Sequence, residues 1–240
     1  MKKIPIIILA LLVLFSMPGC FVRTITMVDK QFDTLNELKA AAGDQLLYPA
    51  GLPPEGFEPT HIEISGYDDK TSWNYRIFMR DDEYMYSADD KDWVRRFAPA
   101  NVPDEGSPAI STIYIYAFVP REYHPQGGRS MQWPNMWEEV AALDRYLYLS
   151  GQDANAWEIG GIDVSYEIEF AAVPEKEDDE GKPVPAYAGV SAYAGFMHGG
   201  LLYIADARLF GHFDESEERL CDMGESLVKG MVTELIYGEG

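Results

Sequence analysis

Ile162-Asp163-Val164-Ser165-Tyr166-Glu167-Ile168-Glu169-Phe170 decides the fold class. Apolar and polar residues alternate through the whole stretch. A strand points successive side chains to opposite faces, so this period of two means one face on a core and one face in water. A helix would need spacings of three and four, which the stretch lacks.

Further strands surround it. Val190 to Met197 and Leu201 to Ala205 flank the turn His198-Gly199-Gly200, and glycine supplies the positive φ that a tight hairpin needs. Ile110 to Val119 is apolar on both faces, which suits a central strand covered on each side. Ser72 to Arg80 alternates, with Trp73, Tyr75, Ile77 and Met79 on one side, and Glu83 to Ser87 is expected to pair back on it. Another strand is expected near His61 to Ile64, after a segment whose Pro49, Pro53, Pro54 and Pro59 withhold ladder donors.

Helical spacing occurs in three places. Thr34 to Ala42 opens with a Thr34/Glu37 capping box and stops at Gly43. Asn135 to about Tyr146 opens on Asn135 with Glu138. Glu215 to Tyr237 carries a stripe of Leu220, Met223, Leu227, Met231 and Leu235, with Asp214 and Glu217 at its start. Helices at both ends with antiparallel hairpins between predict an α+β fold: a twisted antiparallel sheet with the N-terminal and the long C-terminal helix packed on it. No βαβ periodicity and no internal repeat is present.

The start of the chain reads as an address. Lys2 and Lys3 precede an apolar run from Ile4 to Phe15, then Ser16, Met17, Pro18, Gly19 and Cys20. Charge, apolar core and small residues at a cut site form a signal peptide, and the run is too short to span a bilayer. Gly19-Cys20 after the apolar run resembles the lipobox of bacterial lipoproteins, with Met17 where Leu is usual. The resemblance implies a diacylglyceryl group on the Cys20 sulfur and cleavage before it, and such an anchor is durable. The expected organisation is a signal peptide over 1–19, the lipidated cysteine and a short tether over 20–30, and a single acidic domain over 31–240. The expected location is the cell membrane or outer membrane, lipid-anchored on the extracytoplasmic side.

Loss of the two signal lysines takes the formal charge from −21 to −23. So acidic a surface repels nucleic acid and anionic headgroups. With Cys20 acylated, Cys221 has no cysteine to pair with, and Glu217, Glu218, Asp222 and Glu225 around it disfavour a thiolate.

Catalytic patterns fail one by one. His61, His124, His198 and His212 form no H-x-x-x-H or H-E-x-x-H, and there is no CxxC. Gly189-Val190-Ser191-Ala192-Tyr193 lacks the second glycine of a nucleophile elbow. Gly160-Gly161 precedes a strand rather than a helix, so it makes no phosphate loop. Asp89, Asp90 and Asp92 are weak calcium candidates without EF-hand spacing. Trp133 and Trp137, which flank Pro134, are candidate aromatic contacts for a sugar or a protein partner. No cofactor is expected.

Several short motifs carry a second resemblance: Leu47-Tyr48-Pro49 with Leu52-Pro53-Pro54-Glu55-Gly56-Phe57, Gly161-Ile162-Asp163-Val164, and Ala194 to Ile204 before a closing helix with Ser226-Leu227. Their order resembles uncharacterised extracytoplasmic domains on bacterial lipoproteins and anti-sigma-type membrane proteins. It implies a binding or sensing role and supplies no catalytic residues; beyond the membrane, the expected partner is a protein or an envelope polymer whose identity the sequence leaves open. A lipid-anchored hydrolase with a site dispersed in sequence and a structural envelope protein are the alternatives.

Overall fold

The structure, a computed structural model, describes residues 27–43, 46–49, 57, 59–67, 73–80, 102–118, 136–151, 156–177, 181 and 183–238. Its elements in chain order are β1 (Met27–Gln31), α1 (Leu35–Ala42), β2 (Pro59–Tyr67), β3 (Trp73–Arg80), β4 (Ala109–Phe118), α2 (Met136–Ser150), β5 (Ala156–Ile159), β6 (Ile162–Val173), β7 (Lys176–Glu177), β8 (Pro183–Val184), β9 (Tyr187–His198), β10 (Leu201–Gly211) and α3 (Glu217–Tyr237). Eight strands form one sheet in the order β1-β2-β3-β4-β10-β9-β6-β5, with every neighbouring pair antiparallel. The short β7 and β8 pair separately within the acidic loop. The predicted α+β class is the observed one.

The centre is the β9–β10 hairpin. His198 pairs with Leu201, so the turn is the two residues Gly199 and Gly200, at φ 57 and 82. Two successive positive φ values give the turn whose twist matches that of the strands it joins. Gly160 and Gly161, at φ 60 and 75, repeat this between β5 and β6, where Ile159 pairs with Ile162. That second hairpin went unrecognised in the sequence because β5 is only four residues long.

Both faces of the sheet carry helices. On the first face, α3 lies over β9, β10 and β6, and α1 lies against β2. The core beneath them includes Ile64, Tyr75, Ile77, Ile113, Ile115, Val164, Phe196 and Tyr203, all essentially without solvent contact. On the second face, α2 sets Ala142 and Leu149 against Tyr116, Phe118, Tyr193, Leu202 and Ile204. The predicted central strand is β4, buried on both faces except at its start and at Tyr114.

The N-cap of α1 is Thr34, whose hydroxyl accepts from the Glu37 N–H, and Gly43 ends the helix at φ 65, both as expected. At α3 the expectation fails in two respects. The cap is Ser216, whose hydroxyl accepts from the Arg219 N–H, so Asp214 lies before the helix in the turn closed by His212. The buried stripe is Leu220, Gly224, Val228, Met231, Val232 and Leu235, while Met223 and Leu227 are only half-buried. A glycine inside the helix lets its backbone come closest to the sheet, and the buried face turns toward that point.

Two further placements differ from the sequence reading. Met27 to Lys30, read there as tether, stand in the edge strand β1 against β2. Helix α2 runs to Ser150 rather than Tyr146. The expected Glu83–Ser87 strand and the Asn135 cap lie outside the described residues. No helix among the described residues is long and apolar enough to cross a membrane.

A Cβ added at Gly224 would stand 2.7 Å from Val190 Cγ1 and 3.2 Å from Ala192 Cβ. Gly224→Ala gains about 1 kcal/mol of helix propensity. It also overpacks a β-branched neighbour with little rotamer freedom, at a cost of about 1–3 kcal/mol. Urea denaturation is expected to show a net loss of about 1 kcal/mol, and Val190→Ala in the same chain to restore part of it.

Candidate functional site

Cys20, Asp89, Asp90, Asp92 and Trp133 lie outside the described residues. Trp137 stands in the first turn of α2, and its side chain is outside them too. No group of three potential metal ligands occurs among the described residues. His61 is joined to Glu63, Nε2 to Oε2, at 2.9 Å. His198 is exposed next to the hairpin turn.

Strand register assembles a site that the sequence reading did not single out. On the second face, Glu167 of β6 pairs with Tyr193 of β9, Tyr193 with Asp206 of β10, and Asp206 with Tyr114 of β4. The next row is Glu169, Ser191, Arg208 and Thr112. Two rows of polar residues thus cross the middle of a sheet whose neighbouring positions on that face, Ile204 and Leu202, are buried and apolar.

Helix α2 closes over one end of these rows. Arg145 Nε donates to Glu167 Oε2 at 2.8 Å. Its Nη2 lies 2.8 Å from the same oxygen and 3.5 Å from Glu169 Oε2, yet it is buried and makes no hydrogen bond. The distance gives attraction, while the angle denies a bond, so the guanidinium is held by charge more than by directional contacts. Its carbon stands 4.4 Å from the centroid of the Tyr193 ring, within cation–π range. The Tyr193 hydroxyl donates to the Ala142 carbonyl at 3.3 Å. Burial holds the Tyr193 phenol far above its ordinary range, with Arg145 opposing, so Tyr193 acts as a neutral donor.

Asp206 is the chemical centre of the rows. Burial raises its carboxyl above the ordinary value, the charges of Arg208 and Arg145 pull it down, and Glu169 adds to the rise. Burial likewise lowers the Arg208 guanidinium, opposed by Asp206. A carboxyl raised by desolvation, with the charges of Arg208, Arg145 and Glu169 acting on it, is the kind of perturbed group that clusters at functional sites.

The sequence did hold a signal for this site. The apolar run that predicts the second strand of the hairpin stops at Ala205, and Asp206 and Arg208 follow it. The strand instead continues to Gly211, and charges at i and i+2 within a central strand put both on one face.

A second surface lies on the opposite face. An open groove of about 500 Å³ runs beside α3, with Ile110, Leu209, Met223 and Leu227 as its apolar lining and Glu218 and Asp222 among its polar ones. Arg219 at its edge is engaged: Nη1 donates to Glu215 Oε1 at 2.8 Å and Nη2 to the Gly106 carbonyl at 3.0 Å. The Gly106 N–H donates to Glu215 Oε2 at 2.9 Å. Burial would raise the Glu215 carboxyl, but the Gly106 and Arg219 bonds outweigh it and hold the group below its ordinary value. These bonds tie the turn before β4 to the start of α3. The groove holds no group poised for chemistry, so the polar rows are the stronger candidate.

A carboxyl raised in the folded state contributes most below its unfolded value, 3.8 for Asp206, and that contribution is lost as pH rises through the folded value. Asp206→Asn removes the titration. Its unfolding free energy relative to the native chain is therefore expected to climb as pH rises above 3.8 and then level off, measured by urea denaturation from acid to neutral pH. A flat difference across that range means Asp206 does not titrate abnormally. No protein-family model, curated protein or solved structure matches the chain.

Proposed function

We propose that this chain is a lipid-anchored extracytoplasmic binding protein. Cys20 carries the anchor, and the two polar rows beside α2 form the binding surface. The apolar run closed by Gly19-Cys20 supports the address. The half-buried Asp206, in one sheet row with Glu167 and Tyr193 and next to the row of Glu169 and Arg208, with Arg145 of α2 closing on Glu167, carries the binding reading. Ionising such a group inside a fold lowers stability, and well-packed apolar residues in its place would be neutral or stabilising. Sites that bind incur this cost, because a ligand supplies the contacts that the empty site lacks. The failure of each catalytic pattern supports binding over catalysis.

The address is tested by intact mass and membrane fractionation. The native chain is expected on the membrane, beginning at Cys20 and carrying diacylglyceryl mass, with Cys20→Ala unprocessed. A Cys20→Ala chain that matures and is released as the native chain is would make this a secreted protein.

The binding role is tested by thermal shift against sugars, peptides and metal ions. A true ligand at 100 times its Kd stabilises by about 2.7 kcal/mol. Asp206→Asn is expected to abolish that gain. A gain that survives the substitution moves the site elsewhere, and a screen without any gain favours the structural envelope protein.

A further inference from the structure

We infer that one end of the sheet rests on the bilayer surface through Leu147, Tyr148, Met197 and Tyr237. The inference rests on the lipid anchor proposed above and adds an orientation to it.

The register defines that end. Met27, the first residue of β1, pairs with Tyr67, the last of β2, and Val28 pairs with Gly66, which pairs with Trp73. On the other half of the sheet the same end carries both Gly-Gly turns, since Leu201 pairs with His198 and Ile159 with Ile162. Phe118, the last residue of β4, pairs there with Leu202, and Leu202 with Met197.

Both long helices end there as well. Along α2, the Ala142 carbonyl meets Tyr193, Tyr146 abuts Gly195, and Leu149 joins the cluster of Phe118 and Leu202, so the helix descends toward the turns. Along α3, Leu220 lies by Gly211, Gly224 by Val190 and Ala192, and Ile236 and Tyr237 by Gly160. The last turns of the two helices therefore flank the two glycine turns, one on each face.

Exposure is uneven. The large apolar side chains most exposed among the described residues are Tyr148 at 65 %, Tyr237 at 62 %, Leu147 at 56 %, and Met197 and Phe213 at 37 % each. All but Phe213 stand at the end just defined. Phe213 follows Gly211 and so stands at the opposite end. Single exposed apolar residues are ordinary, but their gathering at one end is not.

The anchor says what covers them. The seven peptide links from Cys20 to Met27 span at most roughly 25 Å, so lipid on Cys20 holds this end, and not the other, within reach of the bilayer. Tyrosine suits the headgroup region, with an apolar ring and a polar tip. The contact can be weak alone, since the tether holds the effective concentration near the millimolar range. Exposed Glu158 and Asp163 flank the Gly160-Gly161 turn at this end, so the contact suits a zwitterionic headgroup layer rather than an anionic one.

The test uses the full lipidated chain with Cys221→Ser, in vesicles of phosphatidylcholine containing nitroxide-labelled lipid. An environment-sensitive fluorophore is placed singly through Tyr148→Cys, Tyr237→Cys or Phe213→Cys. The probes at 148 and 237 are expected to shift to the blue and to be quenched by the nitroxide, while the probe at 213 stays in water. The inference is overturned if the probes at 148 and 237 remain in water, which would leave those side chains to a protein partner, or if 213 is quenched as strongly. Mass on Cys20 is measured first: a chain without diacylglyceryl overturns the anchor itself, whereas a lipidated chain with dry 213 or wet 148 and 237 overturns only the orientation.

Discussion

Gly224 lets the backbone of α3 settle onto Val190 and Ala192 at the middle of β9, and much of the first face follows from that contact. Strand β9 is built for it, with Ala188, Ala192 and Ala194 buried on the same side. Small residues on both partners let helix and sheet approach closely, so larger side chains on the flanks complete the seal: Leu209 toward β10 and Ile168 and Phe170 along β6. The approach also turns the helix, so that Met223 and Leu227 face the groove while Val228 and Val232 go inside.

The second face is divided between packing and polar groups. Near the glycine turns it is apolar, with Leu202, Ile204, Tyr116 and Phe118 packed under α2. Two residues further along each strand it becomes polar, at Glu167, Tyr193 and Asp206, and then at Glu169, Ser191 and Arg208. Arg145 lies at this boundary, on the helix that seals the apolar part, and it reaches both glutamates. The helix is thus tied by its charge to the rows it partly covers.

Periodicity made the frame legible in the sequence. Strand β6, the β9–β10 hairpin, the doubly buried β4 and the α1 caps all follow from local patterns whose physical reasons lie within a few residues. What escaped depends on distant residues. The turn of α3 about its axis is set by Gly224 against Val190, 34 residues apart in sequence and in no local pattern. On the polar side of β6 Asp163 and Glu169 are exposed as the alternation predicts, while Ser165 is buried and Glu167 half-buried, and nothing in the strand itself reveals that α2 lies over that part. The sequence places the strand over Leu201 to Ala205, and Asp206 and Arg208 lie beyond it, since charge inside a central strand is normally costly. That departure from the usual rule is the best local clue to function, because sites are where local rules give way.

The two proposals constrain each other. With the glycine turns at the bilayer, Met197 marks the lipid level and Tyr193 lies four residues up the same strand, about 13 Å higher at the rise of a β-strand. The row of Glu169, Ser191 and Arg208 stands two residues further. The polar rows are then clear of the headgroups but far below the reach of a long stalk, facing sideways over the membrane. A partner that meets them arrives from the plane of the membrane or from a polymer lying close to it. A ligand that approaches only from open solvent would not need the short link between Cys20 and β1, and a long flexible tether would serve it better.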